Sequence, residues 1–320
     1  MKESEVRILL SVHGIEAEEI TRVIGSFSKE IFLIDGKIIL RSSSSPMDRE
    51  IHNFTRVKSL PFVPSVHYTG AFDGEDGKMN YAILDLLPGK DLIDVYSLLS
   101  LKQQLDLGKD IASFLDALHS IRGTNYDIGH YVPTVPSFIG SWKDGHIKYW
   151  GQLNADSIEL PLGETSRKTV GDAFDFLYSS VAALSFQQGP RVLHNDFHPK
   201  NILVDHGHVS GVIDWECAQF GEVDFELSHL IHWCAYPPEQ HLDLRPLIKS
   251  ICTCSPLCTQ VPDLSKRLTI YQIEHEINQL IWSEGKAENI RIPRIKDWME
   301  GKVARFLAPL PSKPIHNIIM

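Results

Sequence analysis

Apolar and polar positions along the chain follow one rhythm up to about residue 87 and another beyond it. In the first part the apolar runs are short and bounded by turn residues. Residues 20–24, 30–34 and 37–41 and the run N-Y-A-I-L-D-L-L at 80–87 read as strands. Asp35-Gly36 between two of these runs is a strong short-range hairpin signal. Residues 3–12 predict a short amphipathic helix ahead of the strands. Beyond residue 87 the spacing turns helical. Leu107, Ile111, Phe114, Leu115 and Leu118 share one face, as do Phe174, Leu177, Tyr178, Val181 and Leu184, and residues 266–283 read as further helix. Between these, residues 122–168 are rich in Gly, Pro and aromatics without strong periodicity. That stretch reads either as aromatics packing an irregular segment onto the second part or as a substrate lid.

One helix interrupts the strands. Ser45-Pro46-Met47-Asp48 is a helix start, with Ser45 as N-cap and Pro46 at the first helical position. Pro61 disfavours helix beyond about Ser59. Met47, Phe54 and Val57 form the apolar stripe, and Glu50 lies within it. A carboxylate on a buried face wants a cation. Period-two alternation puts Lys37, Ile39 and Arg41 on one strand face, and Arg41 is the natural partner. The alternatives are Glu50 reaching solvent at the stripe's edge and Arg41 as a solvated strand-end residue.

The most informative stretch is 192–215, V-L-H-N-D-F-H-P-K-N-I-L-V-D-H-G-H-V-S-G-V-I-D-W. Two apolar strands flank a His-Gly turn, and a polar loop carrying His194, Asp196 and Asn201 precedes them. Asp214 ends the second strand, so the hairpin holds Asn201 and Asp214 at neighbouring strand ends. Two carboxylates and a carboxamide around a small space suit a hydrated magnesium ion, which takes oxygen ligands and shares itself with substrate phosphates. The D-x-x-x-x-N spacing followed by that terminal Asp fits the general template of phosphoryl transfer. Asp196 would then take a hydroxyl proton, while Asn201 and Asp214 hold the metal.

H-N-D-F-H-P-K-N-I-L-V-D followed by G-V-I-D-W-E resembles the signature of aminoglycoside phosphotransferases and their choline-kinase-like relatives. The resemblance implies an α+β, two-lobed protein-kinase-like fold: a nucleotide-binding lobe of antiparallel strands over residues 1–87, and a mostly helical lobe over 88–320. It implies ATP or GTP as phosphoryl donor, Mg2+ as cofactor and a small-molecule hydroxyl as acceptor. It places Arg41 on the nucleotide phosphates, where the family commonly has lysine, with Glu50 as its ion-pair partner. It lays the loop carrying Ser26 and Ser28 over the phosphates, although with one glycine that loop reads equally as a plain connecting turn. The backbone from Asp85 to Leu87 would meet the base of the nucleotide. His198 and Lys200 either meet substrate or simply belong to the loop.

Composition narrows the partners. The 320 residues carry 31 Lys and Arg against 41 Asp and Glu, for a net charge of −10. Such a surface repels nucleic acid and anionic lipid and tolerates a cationic small molecule. No apolar run reaches the length of a membrane span, and the charged start lacks a signal-peptide core, so a cytosolic protein is expected. Five cysteines cannot all pair within one chain. Cys252, Cys254 and Cys258 are close together but lack the second ligand pair of a zinc site. Acids at Asp127, Asp144, Glu274 and Glu276 fall where the resembling family builds its acceptor pocket, which points to an aminoglycoside. Choline-like, homoserine-like, sugar and macrolide acceptors stay open, as does a nucleotide-binding pseudokinase.

Overall fold

The computed structural model describes residues 1–23, 29–75, 77–127, 140–237, 242–255 and 260–307. The chain divides into two compact units, Met1–Leu92 with Lys200–Ala218 and Ile93–Pro199 with Gln219–Met320. The expected division fell at residue 87 with a single crossing. In the structure the hairpin after the polar loop belongs with the first unit.

The first unit holds a five-stranded antiparallel sheet in the order β1 (Ile20–Val23), β2 (Glu30–Ile34), β3 (Ile38–Ser43), β5 (Gly77–Asp85), β4 (Val66–Gly74). The β2–β3 turn is Asp35-Gly36, both at positive φ (49° and 62°), as a tight hairpin matching the strand twist requires. Helix α1 (Glu3–Val12) buries Val6, Leu9 and Leu10 against Phe32, Ile34, Leu40, Tyr81 and Ile83. Helix α2 (Asp48–Val57) buries Glu50, Asn53, Phe54 and Val57 on one face. Its start differs from the expected one: Met47, not Ser45, occupies the N-cap position and no side chain caps the helix. Met47 is buried, so apolar packing sets the entry, and the Ser43 hydroxyl accepts from the Ser45 N–H instead. Asn53 donates its amide to the carbonyls of Trp215 and Ala218 at 2.9 and 3.1 Å, tying α2 to the segment after Asp214.

A second sheet in this unit runs β6 (Lys90–Asp91), β8 (Ile202–Asp205), β9 (His208–Val212), all antiparallel. Gly89 precedes it at φ +110°, where a Cβ would lie 2.7 Å from the Val204 carbonyl oxygen; only glycine fits that approach.

The second unit is mostly helical, with α3 (Leu101–His119), α4 (Trp142–Ile158), α5 (Glu164–Ser180), α6 (Glu226–Ala235), α7 (Arg245–Cys254), α8 (Leu264–Trp282) and α9 (Glu288–Met299), and a two-stranded ribbon of β7 (Arg191–Leu193) and β10 (Gln219–Gly221). Ser100 and Gln103 form a reciprocal cap at the start of α3. Helix α4 corrects the irregular reading for 142–158, while 128–139 of that stretch lie outside the described residues. Trp142, Tyr149 and Trp150 lie at i, i+7 and i+8 on its buried face, a helical spacing that Gly145, Gly151 and Asn154 disguise by their low propensity. The core of the unit is pinned by Arg267, which is fully buried and grips Asp224 through two nitrogens at 2.7 and 2.9 Å. Asp224, just before α6, thus reaches across to α8. Among the described residues no helix is long and apolar enough to cross a membrane.

Candidate active site

Antiparallel pairing of β8 with β9 sets Ile202 opposite Val212, which brings the flanking Asn201 and Ile213-Asp214 side by side. The Ile213 N–H donates to the Asn201 carbonyl at 3.0 Å and fixes that neighbourhood. Asp214 has φ 66°, left-handed backbone that a non-glycine residue adopts at a cost of roughly 1–3 kcal/mol. Arg41, Asp85, Leu87, Asn201 and Asp214 all line one cavity of about 450 Å³ in the first unit, with Ile31, Ile39, Leu84, Leu203 and Ile213 as its apolar walls. Within the 85–87 backbone, the Asp85 N–H donates to Ser65 and the Leu86 N–H to Lys37, both at 3.0 Å. Those bonds hold the strand end in place on the cavity wall.

Two of the lining residues, Arg41 and Asp214, belong to an ion network. Arg41 presents Nη1 to Glu50 Oε1 and Nη2 to Asp214 Oδ1, each at 2.8 Å. Burial by itself lowers the guanidinium pKa, but the charges of Glu50 and Asp214 more than reverse this and raise it. Lys29, just before β2, meets Glu50 Oε2 at 2.9 Å, contacts Glu216 and lies 3.9 Å from Asp214 Oδ1. The strand–helix pair expected between Arg41 and Glu50 is therefore present, within a larger cluster. Sequence reasoning missed Lys29, which looked like the end of a connecting loop. Its signal was indirect: a second acid, Glu216, stands two residues after Asp214. Ser26 and Ser28 lie outside the described residues.

Asp196 belongs to the second unit, in the loop after β7. Its Oδ1 lies 3.4 Å from His198 Nε2 and 4.0 Å from His229 Nδ1. Burial pushes the Asp196 pKa up, but the hydrogen bond and charge of His198, then the charges of His229 and His194, hold it well below the usual carboxylate range. Burial lowers His229 to about 4, so near neutral pH that ring is uncharged. His198 is stacked on Trp233, with ring centroids 4.7 Å apart. Asn195, at φ 63°, makes the sharp bend of the loop and accepts from the Gln219 amide at 3.1 Å.

Glu226, at the start of α6, was not singled out by sequence. Its carboxylate accepts the backbone N–H groups of His194 and Asn195 at 3.0 and 2.9 Å, stapling the loop that carries Asp196. Burial raises its pKa to about 7 despite those two bonds. The folded value lies above the unfolded value, so between pH 4.5 and about 7 the folded state holds a proton that the unfolded state releases. Stability therefore falls as pH rises through this window, by on the order of 3 kcal/mol at most. Glu226→Gln should flatten that decline in melting temperature relative to wild type. It should also lower turnover about tenfold, because an amide leaves one loop N–H without an acceptor. An identical pH slope in both proteins would remove Glu226 as its source.

The acids expected to meet an acceptor are differently employed. Glu274 is buried, accepting from the Trp150 indole and lying 2.6 Å from His146 Nδ1. Glu276 is buried against Arg291 at 3.0 Å. Asp144 is exposed in the first turn of α4, where Ser141 caps its N–H. Both glutamates were read as candidates for binding an amine, and both are held by neighbours within their own unit. Glu274 does line a small cavity, about 50 Å³, together with Trp142, His146, Gln219, His229 and Tyr271. Among the described residues, His146 Nε2 and Gln219 Oε1 on its walls have no hydrogen-bond partner.

A five-stranded antiparallel sheet with one buried ion-paired helix, followed by a helical unit, is the kinase-like architecture of small-molecule phosphotransferases. The chain belongs to the phosphotransferase enzyme family, whose model matches residues 19–245. Its fold is similar to aminoglycoside phosphotransferase APH(4)-Ia, with a TM-score of 0.66 at 18% identity, covering 96% of this chain and 100% of that one. It is also similar to ADP-bound aminoglycoside phosphotransferase APH(2'')-Ib, with a TM-score of 0.65 at 18% identity, covering 96% and 99%. In sequence it is 29% identical over 106 residues to hygromycin-B 4-O-kinase of Escherichia coli. That match spans 33% of this chain and 28% of the relative's length.

Proposed function

We propose that this phosphotransferase moves the γ-phosphoryl group of ATP or GTP to a hydroxyl of a small molecule, with Mg2+ as cofactor. The observation that carries this reading is the first unit's cavity, where an arginine, an amide and a carboxylate share one space with the end of a strand. Asn201 and Asp214 offer only oxygen ligands, a donor set that suits a hard, partly hydrated cation, and they would hold it. The ion would neutralise charge on the phosphates when bound. Arg41 binds phosphate oxygens through its planar fork, and the strand end at Asp85–Leu87 meets the base. Asp196, ionised throughout the neutral range, orients the acceptor hydroxyl and takes its proton as transfer proceeds. Structures of similar proteins, which bind ADP, AMP-PNP with hygromycin B, or GDP, support the nucleotide reading.

For the acceptor, aminoglycosides come first. Relatives of similar fold carry that name, and the net charge of −10 favours a cation. A second reading, a neutral hydroxyl-rich acceptor, is favoured by the commitment of Glu274 and Glu276 to internal partners. Expressing the chain in a susceptible bacterium and measuring inhibitory concentrations for an aminoglycoside panel separates the two. Protection that Asp196→Asn abolishes, with phosphorylated drug seen by mass spectrometry, supports the first. No protection against any member moves the assignment to the second.

A further inference from the structure

Lys29 is too deeply placed for a loop-end lysine. Its side chain is 6% exposed, and it stands among three carboxylates, those of Glu50, Asp214 and Glu216. Desolvating an ammonium is unfavourable unless neighbouring charge compensates it, and such burial implies a task. A strand–helix anchor needs only one cation on Glu50, and Arg41 already supplies it. Here the two carboxylate oxygens are divided, Oε1 to Arg41 and Oε2 to Lys29. The cluster counts two cations against three anions, so without Lys29 the guanidinium alone would face all three acids.

We infer that Lys29 is a positioning residue for the nucleotide: it neutralises Glu50 so that Arg41 is released from that carboxylate to bind phosphate. This rests on the nucleotide-binding reading of the first unit's cavity. Arg41 lines that cavity and Lys29 is not among its lining residues, which assigns phosphate contact to the first and charge balance to the second. With nucleotide bound, Asp214 would be available to hold the metal and Arg41 to bind the phosphates, while Lys29 keeps Glu50 neutralised. Loss of Lys29 leaves Arg41 held by Glu50, and affinity for the metal–nucleotide complex falls while the transfer step is little changed.

The test is direct binding of AMP-PNP and a GTP analogue with magnesium, by calorimetry, to wild type, Lys29→Met, Lys29→Arg and Glu50→Gln, and to Lys29→Met combined with Glu50→Gln. Melting temperatures confirm that each variant folds. Lys29→Met should weaken nucleotide binding about tenfold to a hundredfold, the range of a lost charge-assisted contact. Lys29→Arg should restore most of it. In the Glu50→Gln background, where the charge to be neutralised is gone, Lys29→Met should add less than a threefold loss. In steady state the defect should appear in the nucleotide KM rather than in kcat. Unchanged affinity in Lys29→Met, or an equal loss with and without Glu50, overturns the inference. If wild type binds neither analogue, the nucleotide-binding reading itself fails, a result distinct from either of those.

Discussion

Asp196→Asn is expected to reduce phosphoryl transfer between about a hundredfold and ten-thousandfold, the range a positioned general base contributes. An amide of the same shape keeps the contacts of the loop but cannot accept the acceptor's proton. The proposed nucleotide site draws on Arg41, Asn201, Asp214 and the 85–87 backbone rather than on Asp196, so nucleotide affinity should stay within about twofold of wild type. His198 and His229 are set to keep Asp196 charged, so ionisation of Asp196 should not produce the acid limb of the pH–rate profile above about pH 4. Turnover near wild type in the variant would remove Asp196 from the chemistry. A loss of nucleotide binding as large as the loss of turnover would give it a different role.

Asp214→Ala should be at least as damaging, on the order of a thousandfold in kcat/KM, for two combined reasons. It removes an oxygen that, in the proposed site, would hold the metal beside the phosphates. It also removes the carboxylate that Arg41 grips at 2.8 Å and Lys29 approaches at 3.9 Å. Asp214→Asn separates these effects: it keeps an oxygen and the left-handed turn, which asparagine tolerates, but gives up the charge. Asn201→Ala should be milder, since a neutral amide contributes less to a dication. Magnesium titrations of nucleotide binding measure all three. If the magnesium dependence is unchanged in Asp214→Ala and Asn201→Ala alike, the metal is held elsewhere.

Much of the fold was legible because it rests on local signals. The Asp35-Gly36 turn, the period-two strand carrying Arg41, the Glu50 stripe and the hairpin between Asn201 and Asp214 are each written within a dozen residues. The long helices after residue 87 declare themselves by spacing. What stayed hidden depends on distant partners. Lys29 acquires its meaning only when β2 lies beside β3 and α2, and Glu226 only when its helix start meets the His194-Asn195 backbone. Glu274 and Glu276 looked available because a helix face does not reveal whether His146 or Arg291 waits opposite. Helix α4 was obscured for another reason, since its glycines lower propensity while packing of Trp142 and Trp150 holds the helix.

The most direct measurement of the central claim is transfer of label from γ-labelled ATP and GTP, with magnesium, to a panel of aminoglycosides and neutral polyols. Wild type and Asp196→Asn are run side by side, with each product weighed by mass spectrometry. The expected result is a magnesium-dependent gain of one phosphoryl group on at least one acceptor, absent from the variant. Magnesium-dependent nucleotide binding with no transfer to any hydroxyl, or transfer equal in both proteins, would contradict it.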